Sequence, residues 1–119
     1  DGWFRESRIQ STRGSYLRSR AALESVERSL ATETAGARDQ LLNSIESYRI
    51  ALMAREQAEQ QLDLSRRSYE MGATSLLDLL DAQQQLAEAE ASVVSARMEC
   101  LLQEAQLLVL LGRTPRLGE

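Results

Sequence analysis

Apolar residues recur every seven positions through the first third of the chain, at Ile9, Tyr16, Leu23, Leu30 and Ala37. The register then slips by four and resumes at Leu41, Tyr48, Leu62 and Tyr69, with Arg55 as a polar interruption and Val26, Ile45, Leu52 and Ala58 as companions. This is the spacing of a coiled-coil stripe with one stutter near Gly36. It predicts a helix over 5–70, roughly 95 Å long at a rise of about 1.5 Å per residue, with local weakening at Gly14 and over 32–36. A second helix is predicted over 76–111. Leu79, Leu86, Val93, Cys100 and Leu107 form one seam, with Ala82, Ala89, Ala96 and Leu110 beside it. Leu80, Ala87, Val94, Leu101 and Leu108 repeat at the same interval on an adjoining face. A two-stranded hairpin uses one narrow seam. Two adjacent seams imply neighbours on both sides, as in a bundle or a closed ring of helices, and periodicity alone favours a simple three- or four-helix bundle.

Residues 71–75 break both patterns and form a tip turn. Gly72 suits the left-handed conformation that ends a helix. Arg66 and Arg67 lie in the last turns of the first helix, where its dipole favours cations. Ser75 followed by Asp78 fits a capping box, and Asp78 and Asp81 favour a helix N-terminus. So short a connection makes the helices antiparallel neighbours. The expected fold class is therefore all-α, a long antiparallel helical hairpin of coiled-coil type. The helices differ in length, so the first should overhang the second by about 40 Å. Ile9, Tyr16, Leu23 and Leu30 on that overhang require a partner, an argument for oligomerisation or for further segments. Gly112 is expected to end the second helix, with 112–119 as an irregular tail.

Composition narrows the function classes. Of 119 residues 43% are hydrophobic and only 4% aromatic, and proline occurs once, at Pro115. Small apolar residues without large rings suit close helix packing. Histidine is absent and Cys100 is the sole cysteine, which removes His-based catalysis, His-ligated zinc and an intrachain disulfide. Cys100 on the apolar stripe reads as an inert, buried thiol. No cofactor is expected. Carboxylates on an exposed bend lack the water-excluding pocket that acid–base catalysis needs, so no catalytic residues and no enzyme activity are assigned. The net charge of -4 argues against a nucleic-acid partner; the Arg-rich first turns (Arg5, Arg8, Arg13, Arg18, Arg20) read as a solvated helix face. No apolar run approaches the ~20 residues of a membrane-spanning helix.

The stretch Tyr69-x-x-Gly72-x-x-Ser75-Leu76-Leu77-Asp78-Leu79-Leu80-Asp81-Ala82-Gln83 resembles the periplasmic tip motif of TolC-like outer-membrane efflux proteins. Leu86, Glu88, Ala89, Ala96 and the segment 107–112 are similar to that family's last long repeat, and Asp1-Gly2 to the point where its chain leaves the membrane strands. The resemblance covers nearly the whole chain and is most specific over 69–83. It implies a fragment from the C-terminal half of such a protein, one segment of a trimeric α-helical barrel in the periplasm of a Gram-negative bacterium, anchored in the outer membrane through strands absent here. The implied role is part of a channel for efflux or type I secretion. The implied partners are two further copies in a homotrimer, a periplasmic adaptor protein and, indirectly, an inner-membrane pump. Gly72, Ala73, Thr74 and Ser75 would form the adaptor-contact tip. Tyr69, Asp78 and Asp81 would lie at the gate, where acids repeated around a threefold axis would form a ring favouring cations. Some members carry an arginine where this chain has Thr74, which makes no salt bridge, so other contacts must hold the gate, for example a Tyr69 hydroxyl to a carboxylate.

The residues alone leave alternatives open. Asp78 and Asp81 also fit pure helix capping, Tyr69 pure seam packing, and Arg55 either a turn to solvent or an interhelical salt bridge. The competing function is a coiled-coil hairpin scaffold, from a periplasmic adaptor or a signalling protein.

Overall fold

The computed structural model describes residues 2–113. Two helices form, α1 over Gly2–Glu70 and α2 over Leu76–Arg113. They fold back on each other into an all-α hairpin measuring 105 × 27 × 13 Å. The long dimension is that of α1 itself, whose 69 residues extend about 104 Å. Gly14 and the segment 32–36 are helical without interruption. Gly112 does not end α2, which continues to Arg113. Gly72 is the only glycine described with positive φ, so no left-handed cap forms at Gly112 and the helix has no local reason to stop there. The remainder of the expected tail, 114–119, lies outside the described residues.

The interface between the helices is a single ladder. On α2 the buried and half-buried positions are Leu79, Ala82, Leu86, Ala89, Val93, Ala96, Cys100, Gln103, Leu107 and Leu110, in strict alternation of three and four. On α1 they run Leu30, Thr34, Ala37, Leu41, Ser44, Tyr48, Ala51, Arg55, Ala58, Leu62, Ser65 and Ser68, with Leu52 half-buried beside Ala51. The expected stutter is thereby resolved. Ala37 and Leu41 are neighbouring rungs of one unbroken ladder, and Ile9 to Ala37 share their heptad phase with Ser44, Ala51, Ala58 and Ser65. The apparent slip arises because the large side chains change from one edge of the seam to the other. Small residues take over the vacated edge.

Small residues let the two backbones approach closely. Cys100 Sγ donates to the backbone carbonyl of Ser44 across the seam at 3.1 Å, and the Ser44 hydroxyl returns to Leu41 O at 2.7 Å. A side-chain contact to the backbone of the opposing helix needs such proximity. The seam is slender: Ala37, Leu79, Ala82 and Val93 are its buried apolar residues, and no side chain is completely enclosed. Arg55 holds its seam position half-buried and pairs with Glu59 of its own helix at 3.6 Å. It neither turns wholly to solvent nor bridges to α2. Its long stem packs while its head group reaches the rim.

Two apolar surfaces are left open. From Trp3 to Ser29 every residue of α1 except Gly14 is exposed, because α2 is 31 residues shorter (69 against 38) and does not reach that end. On α2 a second ladder of the same spacing stands beside the first: Leu77, Leu80, Ala87, Ala91, Val94, Met98, Leu101, Ala105 and Leu108, interrupted by Gln84 and exposed throughout.

Candidate functional site at the hairpin tip

The tip is built by two caps in succession. Ala73 N donates to Ser68 O at 2.8 Å and Gly72 N to Tyr69 O at 3.0 Å, after a last helical bond from Met71 N to Arg67 O. This crossed pair is a Schellman motif and requires its residue C′ in the left-handed region. Gly72 occupies that position at φ +74°. A Cβ built there meets nothing within 4 Å, so conformation and not space selects glycine. The same openness leaves the backbone at the apex accessible from outside.

Three residues later the second cap begins. The Ser75 hydroxyl accepts from Asp78 N at 3.2 Å, satisfying one of the free donors at the start of α2. Thr74 Oγ1 donates to an Asp78 carboxylate oxygen at 2.8 Å. The Thr74 hydroxyl foremost, then the side chain and backbone of Ser75, hold the Asp78 carboxyl below its ordinary pKa, against a small opposing effect of burial. Asp81 accepts from Gln85 Nε2 at 3.1 Å.

Thr74, Asp78 and Asp81 share one cleft of about 260 Å³ with Gln61, Ser65, Ala82 and Gln85. A second, wider groove of about 640 Å³ continues toward the middle of the rod, lined by Ala54, Gln57, Ala58, Gln60, Gln61, Leu64 and Gln85. No basic side chain lines either groove, so the face beside the tip is acidic at its end and amide-lined above. Gly72 and Ala73 stand outside the cleft at the apex. Tyr69, on the last turn of α1, is 40% exposed. It leaves the seam that its sevenfold spacing suggested, because Ser65 and Ser68 carry the contact there. Within one chain its hydroxyl bonds neither Asp78 nor Asp81. The glutamines escape a reading keyed to charge and apolar spacing, although their clustering at 57, 60, 61 and 83–85 was a signal in plain view.

The Asp78 cap gives a direct test. A carboxyl with a depressed folded-state pKa contributes stability above the usual aspartate range and loses it as pH falls through the folded value. Thr74→Val removes the hydroxyl that does most to hold this carboxyl down, so the Asp78 pKa should rise toward that of a free aspartate in a carbon-detected carboxyl titration. An unmoved titration curve would exclude Thr74 as its partner.

Among the described residues no cluster of acids, cysteines or histidines could hold a metal ion, and no helix is long and apolar enough to cross a membrane. The tip offers an exposed loop, a glycine apex, two carboxylates and a polar groove. No curated protein and no solved structure matches the chain. A family of transport channels does match it, under the description "Outer membrane efflux protein", over residues 1–113. With the match running the full length of both helices, the chain belongs to the outer membrane efflux protein family.

Proposed function

We propose that this hairpin is the periplasmic helical part of an outer-membrane channel for efflux or type I secretion, that its tip docks a periplasmic adaptor, and that the acids beside the tip gate the pore. The observation that carries this proposal is the second apolar ladder of α2. One ladder packs on α1, and the other, from Leu77 to Leu108, is exposed along the same length. A helix with two such faces is suited to lie between two neighbours, as a stave does in a ring of helices. A homotrimer, each copy contributing this hairpin, closes such a ring without leaving an open face. The exposed start of α1, with Ile9, Tyr16 and Leu23, needs cover from the same assembly.

Around a threefold axis the cleft of Thr74, Asp78 and Asp81 recurs three times. Rings of carboxylates favour cations and repel one another when drawn together, so a closed entrance held by them opens at small cost. Gly72, Ala73, Thr74 and Ser75 form the outermost surface, where an adaptor hairpin meets them. Tyr69, at the base of the turn, supplies a hydroxyl toward a neighbouring copy. An inner-membrane pump acts through the adaptor, and substrate passes without a catalytic step.

Asp78→Ala combined with Asp81→Ala should lower cation preference and raise leak in planar bilayers containing the assembled channel. Conductance and selectivity identical to the unaltered channel would take both acids out of the gate.

A further inference from the structure

Among the described residues no large apolar side chain stands further into solvent than Met71, which is 81% exposed. It lies in the turn, one residue before Gly72, and its backbone N–H donates to Arg67 O at 3.1 Å. Leu76 and Leu77, in the first turn of α2, are exposed as well. The apex therefore presents a thioether and two branched apolar groups to water. Methionine is favoured on surfaces that dock other proteins, because its side chain is flexible and its sulfur polarizable. The same sulfur is the group on this surface that an oxidant attacks.

The other sulfurs of the chain are placed differently. Cys100 is half-buried in the seam, and its Sγ is engaged with Ser44 O at 3.1 Å. Met53 is 51% exposed, and Arg49 Nη1 donates to its Sδ at 3.2 Å. That bond draws on the lone pair through which sulfur attacks a peroxide. Met98 is 62% exposed in the single chain, but it belongs to the second ladder of α2, which the assembly proposed above covers. No hydrogen bond among the described residues reaches the Met71 sulfur.

We infer that Met71 is an oxidation site on the docking surface: a peroxide converts it to the sulfoxide, and the sulfoxide weakens adaptor docking. This rests on the docking reading of the tip. In the reaction the thioether lone pair attacks one peroxide oxygen, the O–O bond breaks, and the transferred oxygen stays on sulfur. The departing hydroxide takes the proton from the transferred oxygen and leaves as water. Sulfur gives up an electron pair, the peroxide is reduced, and a methionine sulfoxide reductase reverses the change. The product is polar where the thioether was apolar. Covered by another protein without a donor to meet it, the sulfoxide oxygen loses its water, which should weaken docking by roughly tenfold or more. On the free chain it stays in solvent, so the helices and their seam are unaffected.

The chemistry is read on the 119-residue chain, treated with hydrogen peroxide, quenched at intervals, digested and followed by peptide mass. Met71 should gain an oxygen first and Met53 last, with helicity by circular dichroism unchanged, and Arg49→Gln should speed the reaction of Met53 alone. Met53 or Met98 reacting ahead of Met71 would overturn the assignment. Docking is read as efflux by the full channel in cells. Met71→Gln carries a permanent polar group of similar length, and Met71→Leu an apolar one that peroxide does not convert. Without peroxide, Met71→Gln should lose most of the efflux that Met71→Leu retains. After a peroxide pulse, the unaltered channel and Met53→Leu should lose a larger share of their own untreated efflux than Met71→Leu does, damage elsewhere in the cell being common to all three. Equal efflux by Met71→Gln and Met71→Leu, or the same fractional loss to peroxide with and without Met71, would overturn the inference. The docking reading fails on a different result, normal efflux with Gly72→Asp, so the two failures are told apart.

Discussion

Gly72→Asp should abolish adaptor-dependent transport while leaving both helices folded. The Schellman turn places Gly72 at φ +74° with open space where a Cβ would stand. An L residue in that conformation costs about 1–2 kcal/mol, and there is no steric clash to add to it. That cost falls on a turn whose flanking helices are joined along their length by a separate seam, so the hairpin survives. A new side chain and charge instead project from the apex, where glycine leaves room for another backbone. A second substitution separates charge from bulk. Gly72→Asn has the same shape, also enters the left-handed region and carries no charge, so it should melt close to the unaltered chain and still impair transport. Efflux in cells and thermal melting of the purified chain read the two effects. Normal efflux with Gly72→Asp would remove the apex from the docking surface; Gly72→Asn with full transport and Gly72→Asp with none would assign the defect to the added charge.

Ala82→Asp should unzip the hairpin, whereas Leu80→Asp should spare it and prevent assembly. Ala82 is 4% exposed in the contact ladder and Leu80 is 50% exposed in the open one. An unpaired carboxylate forced into the seam costs about 3–5 kcal/mol if it stays ionised. The seam is one ladder thick, so no second layer absorbs the loss. A substitution at an exposed position typically moves stability by about 0.5 kcal/mol or less, and a charge at Leu80 remains in water in the single chain. In an assembly that buries the second ladder the same charge loses its water. Urea unfolding followed by circular dichroism should therefore separate the variants, and sedimentation should reverse their order of severity relative to the single chain. Equal destabilisation by both would mean that the two faces of α2 are not distinct. An unaltered oligomeric mass with Leu80→Asp would exclude the second ladder as an interface.

Much of this was legible in the residues. Sevenfold spacing of Leu79, Leu86, Val93, Cys100 and Leu107 marked one apolar face of α2, and Leu80 to Leu108 a second. Ser75 and Asp78 revealed the cap, and Gly72 the turn, because both depend on a few adjacent residues. The partner face on α1 was harder to see. Ser44, Ser65, Ser68 and Thr34 are small and polar, and Arg55 is charged, so these five rungs carry no apolar signal. Gln103 was missed for the same reason, and Gln61 and Gln85 because nothing in the local pattern sets them beside Asp78 and Asp81.

The sequence by itself determined the helices, the place of the turn and the presence of two apolar faces on α2, since propensity, period and capping act over one or two turns of chain. Only the tertiary structure decided which face α2 spends on α1, that the stutter is one continuous ladder, that Tyr69 leaves the seam, and that Thr74, Asp78 and Asp81 meet amides from the opposite helix in one cleft. Those outcomes depend on the register and separation of two helices, which small side chains set by how closely they let the backbones come. Period alone does not distinguish a small residue that packs from one that faces water.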